Sequence, residues 1–206
     1  MKYNTDYMDI EWEAKFLNVD KDKLRKKLQK LGAKLTKSVQ LYKRAVFFLP
    51  KGNEVKGGWL RVRDEADKVT MSLKVVTNGK VEMQKEVMVV VDDYDNARKL
   101  LSEIGCVEKA YQETKREVWQ FKDVEITIDE WPYLEPYAEV EGNSEEAIKN
   151  ASLLLGFDYS QAVFGSADQV ISKKYGISED AINNEIPRIT FAGKNPYLNW
   201  KVKNKI

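Results

Sequence analysis

Residues Asp9 to Leu17 set Ile10, Trp12, Ala14 and Phe16 in alternation with Glu11, Glu13 and Lys15. A period of two is that of a β-strand, here with one apolar and one charged face. Successive charges on that face stand about 7 Å apart, from the strand rise. Later segments repeat the scheme. Trp59–Arg63 aligns Arg61 with Arg63, and Val69–Val76 aligns Thr70, Ser72 and Lys74. Val81–Val91 aligns Glu82, Gln84 and Glu86; Val124–Glu130 aligns Glu125, Thr127 and Asp129; Tyr137–Gly142 aligns Glu139 and Glu141. Any half-solvated strand alternates. What constrains this chain further is the sorting of the polar residues: paired acids on the first and last strands, arginines and lysines between them. Charges sorted in that way suit a sheet whose polar faces look at one another.

The remaining segments read as follows. Asp20 caps a helix with Leu24, Leu28 and Leu31 as its stripe and Gly32 as its stop. Its basic face (Lys23, Arg25, Lys26, Lys27, Lys30) reads as solvated. Leu41–Leu49 is a strand with Lys43 and Arg44 near its start, and Pro50–Gly58 is a turn-rich loop. Asn78-Gly79 signals a hairpin. Asp92–Gly105 is a second helix on Ala97, Leu100, Leu101 and Ile104, and Thr114–Phe121 is a strand with Lys115 and Arg116. From Ser144 the period becomes helical, first to Gly156 and again over Ser166–Tyr175. The order predicts an α+β fold with a mostly antiparallel sheet. Residues 1–185 form the main domain, and 186–206, with Pro187, Gly193 and Pro196, form a C-terminal arm.

Composition then narrows the chemistry. The chain of 206 residues has no histidine and one cysteine, Cys106, which reads as a small core residue. Ser-His and Cys-His nucleophile pairs, imidazole metal sites and thiolate clusters are excluded. A metal here must sit on oxygen ligands, which suits Mg²⁺ or Mn²⁺. Charged residues make up 33% of the chain, yet the net charge is +1, so no general DNA-binding surface is expected. No apolar run reaches the roughly 20 residues of a membrane span, and the start lacks a signal-peptide core. A cytoplasmic protein without membrane association is the expectation, and a homodimer is compatible with it.

If the sheet curls with its charged faces inward, Glu11, Glu13, Glu139, Glu141 and Asp129 form an acidic patch. Crowded carboxylates raise one another's pKa unless a divalent cation neutralises them. Facing them, Lys15, Arg61, Arg63, Lys74 and Arg116, with Arg44 a further candidate, form a basic patch suited to polyphosphate.

Glu11-x-Glu13-x-Lys15, followed in order by Arg61-x-Arg63, Lys74, Arg116, Asp129 and Glu139-x-Glu141, resembles the CYTH superfamily, the triphosphate tunnel metalloenzymes that include class IV adenylyl cyclase and thiamine triphosphatase. The resemblance covers roughly residues 8 to 175. It implies an eight-stranded antiparallel β-barrel with flanking and C-terminal helices, enclosing a tunnel for a small-molecule triphosphate and a divalent metal. By position, Glu11, Glu13, Asp129, Glu139 and Glu141 would hold the metal. Lys15, Arg61, Arg63, Lys74 and Arg116 would hold phosphates, and Glu11, Glu13, Lys15, Glu139 and Glu141 would carry catalysis. A lysine of the C-terminal helix, Lys173 or Lys174, would reach the tunnel, and Glu86 is a further wall candidate. The implied activity is metal-dependent hydrolysis of tripolyphosphate, thiamine triphosphate or a nucleoside triphosphate. The alternatives are an adenylyl cyclase and a non-catalytic module for a triphosphate or an RNA 5′-triphosphate. Trp12, Trp59, Trp119 and Trp131 read as packing on the barrel exterior.

Overall fold

The structure, a computed structural model, describes residues 9–76 and 84–205, with only the backbone of 9–11 and 84. The Asn78-Gly79 turn, Glu82 and the side chains of Glu11 and Gln84 therefore lie outside the described residues. The strands are β1 (Asp9–Phe16), β2 (Lys34–Phe48), β3 (Gly58–Asp64), β4 (Val69–Val76), β5 (Gln84–Val91), β6 (Val107–Phe121), β7 (Val124–Glu130), β8 (Tyr137–Gly142) and the short β9 (Arg188–Ile189). The helices are α1 (Lys21–Lys30), α2 (Tyr94–Glu103), α3 (Glu145–Leu155), α4 (Ala167–Tyr175), α5 (Glu179–Glu185) and α6 (Pro196–Asn204).

Strands pair in the order β2-β3-β4-β5-β1-β8-β7-β6, and β6 pairs again with β2. All of these pairings are antiparallel, so the hydrogen-bonded ring closes on itself. Closure rests on β2 and β6, each 15 residues long and paired along almost their whole length. Register shifts at Leu35/Lys37, Lys37/Gln40 and Val46/Phe47 bend this seam, as bulges must where a sheet curls into a barrel. These strands begin before the segments expected from sequence, because their first halves are too polar and too exposed to show a clean alternation. Gly57, with φ +72°, lets the chain enter β3: a Cβ there would sit 2.1 Å from the Val76 carbonyl.

The apolar face of the barrel points outward and the helices cover it. Ala14, Phe16, Ile126, Ile128, Ala138 and Val140 pack beneath Leu24 and Leu28 of α1 and Ile148, Ala151 and Leu155 of α3. Asp20 caps α1 by accepting hydrogen bonds from the amides of Asp22 and Lys23, each at 3.1 Å. On the far side, Ala45, Phe47 and Val62 meet Ala97 and Leu101 of α2, with Cys106 buried among them. A third cluster joins Trp131 and Tyr137 to Ile171, Ala181, Ile182, Ile189 and Tyr197 of the C-terminal elements. β9 pairs in parallel with Tyr111–Gln112, on the part of β6 that β7 does not reach.

Candidate functional site

With the apolar positions turned outward, the alternate positions of eight strands share one interior. The register places Glu13 opposite Glu141, and Glu141 opposite Glu125, so three carboxylates stand abreast on β1, β8 and β7. Two residues further along, Lys15 is opposite Glu139, which is opposite Thr127. Beyond these, Asp129 lies between Tyr137 and Arg116. Arg44 pairs with Arg63, Val46 with Arg61, Trp59 with Lys74, and Lys74 with Glu86. In a ring of eight, β2 and β3 stand four places from β1 and β8. The arginine wall therefore faces the carboxylate wall across a cavity of about 1010 Å³.

The charges inside are largely paired with one another. Arg116 Nε and Nη2 donate to the two Asp129 oxygens at 2.7 and 2.9 Å, and Nη2 also contacts Glu139. Thr127 donates to Asp129 at 2.5 Å, so both oxygens of this fully buried carboxylate are engaged. Lys15, 2% exposed, bridges Glu13 and Glu139, the latter at 3.3 Å. Arg61 reaches Glu86 at 2.9 Å and Lys74 reaches it at 3.5 Å. Arg63 reaches Glu65 at 2.6 Å, with Thr70 donating to the same carboxylate at 3.0 Å.

These partners set the protonation of the site. Burial pushes Glu139 up, but Arg116 and Lys15 outweigh it and hold the carboxyl well below the usual range. Burial lifts Asp129, and Glu139 adds to the lift against the pull of Arg116. Burial, with Glu125 and Glu139 close by, raises Glu141. Lys15 is pushed down by burial first, then by Lys74 and Arg116, against the opposing pull of Glu139. Burial lowers Arg116, but Asp129 and Glu139 more than offset it, so the guanidinium stays charged.

Glu13, Lys15, Arg61, Arg63, Lys74, Arg116, Glu139 and Glu141 all line the cavity, together with Arg44 and Glu86. Asp129 sits behind that surface, against Arg116. The expected C-terminal lysine does not reach the tunnel. Lys173 is exposed, and Lys174 is held outside by Glu135 at 2.8 Å and the Tyr133 carbonyl at 3.0 Å. Helix α4 turns its first residues, not its basic last turn, toward the cavity, so Ser166, Asp168 and Gln169 line it. Helix α5 adds Glu179, Asp180, Asn183 and Asn184. This acidic and amide rim was missed, although Ser178 followed by Glu179 and Asp180 carries an N-cap signal. The tryptophans also divide. Trp119 packs outside as expected, whereas Trp59 and Trp131 line the cavity, with Trp131 stacked under Arg44.

The donor set is all oxygen, which suits a hard divalent cation. Glu13, Glu141 and Glu125 stand on neighbouring strands, and Glu141 is raised first by burial and then by Glu125 and Glu139, whose charge a cation would offset. Among the described residues no three acidic groups are already gathered as a metal cluster. The residues fit the ion in the chemistry of their donors.

A closed antiparallel barrel with its charges inward and its apolar face under helices defines a protein with a charged interior tunnel. Residues 9–155 match the CYTH domain, and the chain belongs to that family. Proteins of the family are usually enzymes, adenylyl cyclases or triphosphatases, and are generally dependent on a divalent metal. A Methanocaldococcus jannaschii protein named as a candidate adenylate cyclase is 26% identical over 170 residues, covering 81% of this chain and 96% of its own. A Vibrio parahaemolyticus structure, also titled a candidate adenylate cyclase, superposes with a TM-score of 0.68 at 13% identity, over 80% of this chain and 99% of its own. The PH1012 protein of Pyrococcus horikoshii gives 0.63 at 19% identity, over 74% and 94%. At these identities the two structures share the fold.

Proposed function

We propose that this protein hydrolyses a triphosphate in a reaction dependent on Mg²⁺ or Mn²⁺, the substrate being tripolyphosphate, thiamine triphosphate or a nucleoside triphosphate. The observation that carries the reading is the opposition of two walls in one cavity: Arg61, Arg63, Lys74 and Arg116 against Glu13, Glu139 and Glu141. Planar guanidinium forks and a lysine point charge match a chain of phosphoryl oxygens. Those three carboxylates in the cavity would only repel a polyanion if binding were the whole function, which weighs against a non-catalytic module.

Glu13, Glu139 and Glu141 would hold the ion, joined by Glu11 as the resemblance of the opening motif implies. When bound, the ion withdraws charge from phosphoryl oxygens and offsets the charge that develops as the terminal bridge breaks. Arg61 and Lys74, leaving Glu86, and Arg63, leaving Glu65, bind and orient the incoming phosphates. Arg116 is held in place by Asp129, and so can stabilise a leaving oxygen without reorganisation. Lys15 holds together two carboxylates of the acidic wall, Glu13 and Glu139.

The second reading, conversion of ATP to cyclic AMP and pyrophosphate, is favoured by the name of the Methanocaldococcus relative. The two separate by product. The protein is incubated with ATP or tripolyphosphate and either metal, and products are resolved by ³¹P NMR. Orthophosphate from either substrate supports hydrolysis; cyclic AMP with pyrophosphate supports the cyclase. Absence of turnover with both, and with thiamine triphosphate, sinks the enzyme readings.

A further inference from the structure

Each lining cation described above rests on a resident carboxylate, except one. Arg44 has no carboxylate partner among the described residues, although it is only 9% exposed. Its Nη2 donates to the Thr114 hydroxyl at 2.7 Å, its guanidinium stacks 4.8 Å from the Trp131 ring centre, and its Nε has no acceptor. A hydroxyl and an aromatic face orient a cation but supply no counter-charge. The side chain lines the cavity beside Arg63, its cross-strand partner, and Gln112, its partner on β6.

We infer that Arg44 forms a further oxyanion subsite, taking one tetrahedral phosphoryl group on the side of the tunnel away from the carboxylate wall. Strand β2 stands four places round the ring from β1, so a group held here is the one least repelled by Glu13 and Glu139. Arg63 must give up Glu65 before it can take a phosphate, whereas Arg44 gains an oxyanion without breaking an ion pair. Trp131 and Thr114 fix its plane before the ligand arrives, which spares ordering on binding. Burial, and then Arg61, Arg63 and Arg116, push the group down to about 9, the sign of a buried positive charge that lacks its counter-charge. It stays protonated at neutral pH.

The natural occupant rests on the triphosphate reading, either as an end phosphoryl of the substrate or as released orthophosphate; the binding of an oxyanion does not. The test is calorimetric titration, without metal, of tripolyphosphate and separately of orthophosphate into the wild type, Arg44→Gln and Arg44→Lys. We expect Arg44→Gln to weaken tripolyphosphate by about 10- to 100-fold and to abolish measurable orthophosphate binding, as loss of a charge-assisted fork should. Arg44→Lys, which keeps the charge and loses the fork, should fall between. It carries the test alone if the glutamine variant does not fold. Wild-type affinity for tripolyphosphate unchanged in both variants overturns the subsite and leaves the triphosphate reading standing. Orthophosphate binding that depends on Arg44, with no tripolyphosphate binding, supports the subsite as a free-phosphate site. No binding of either anion by the wild type overturns the subsite, while turnover with metal decides the triphosphate reading separately.

Discussion

Asp129→Asn separates two jobs that this carboxylate could have. The residue is fully buried and holds Arg116 through bonds of 2.7 and 2.9 Å, with Thr127 completing its second oxygen. Breaking one side of a buried ion pair costs roughly 3–5 kcal/mol, because the surviving charge is left in a poor solvent. Two features of this site reduce that cost. Glu139 still touches Arg116 after the substitution, and the repulsion between Asp129 and Glu139, which helps to raise the Asp129 carboxyl, disappears. Asparagine also keeps one acceptor at nearly the same volume. A loss of about 2 kcal/mol is the expected remainder. For a chain of this size each kcal/mol moves the midpoint by about 2–4 °C, so the melting temperature should fall by about 4–8 °C. The assay is thermal unfolding by circular dichroism with a chelator present, then with Mg²⁺. A positioning role predicts the drop in the metal-free protein, with metal-induced stabilisation retained. A metal-free melting temperature equal to or above that of the wild type, with the metal effect gone, refutes this reasoning and makes Asp129 a ligand.

Glu139→Gln should lower turnover by at least about 100-fold, the scale for losing a preorganised electrostatic group, while metal-free tripolyphosphate affinity holds or rises. Steady-state rates and calorimetry on one preparation check both. Burial raises Glu65, but Arg63, Lys68 and the Thr70 hydrogen bond outweigh it and leave the folded-state carboxyl below its ordinary value. Its stabilisation is therefore present above the ordinary carboxylate range and is lost as pH falls through the folded-state value. Glu65→Gln should unfold earlier than the wild type in urea at pH 7, with the two midpoints converging as pH falls below the ordinary carboxylate range. Lys174→Ala should leave turnover within about twofold of wild type, since Lys174 pairs with Glu135 outside the tunnel and such surface pairs contribute little. A large loss of kcat would return that lysine to the site.

The strands that could be read from the sequence are those whose apolar positions all face one helix layer. Val69–Val76, Val124–Glu130 and Tyr137–Gly142 coincide with β4, β7 and β8 because each alternates without interruption. The early halves of β2 and β6 escaped, since bulges break the period where the seam bends. α5 escaped because seven residues hold too few turns for a stripe to emerge.

By itself the sequence determined the chemistry open to this protein. Without histidine, and with one buried thiol, only carboxylates, guanidiniums and ammoniums remain, and their alternation assigns each to a face. Which face lies inside was left to the tertiary structure. A strand with one charged face is equally stable facing water, and only closure through β2 and β6 turns those faces toward each other. The same closure settles which charges meet. Asp129 and Arg116 are neighbours across one hairpin, whereas Arg44 and Thr114 lie 70 residues apart in the chain and meet only across the seam. Local patterning carries no record of that distance. Register, bulges and the packing of α4 and α5 over one end decide that Asp168 reaches the cavity, that Lys174 does not, and that Arg44 is left without a carboxylate among the described residues.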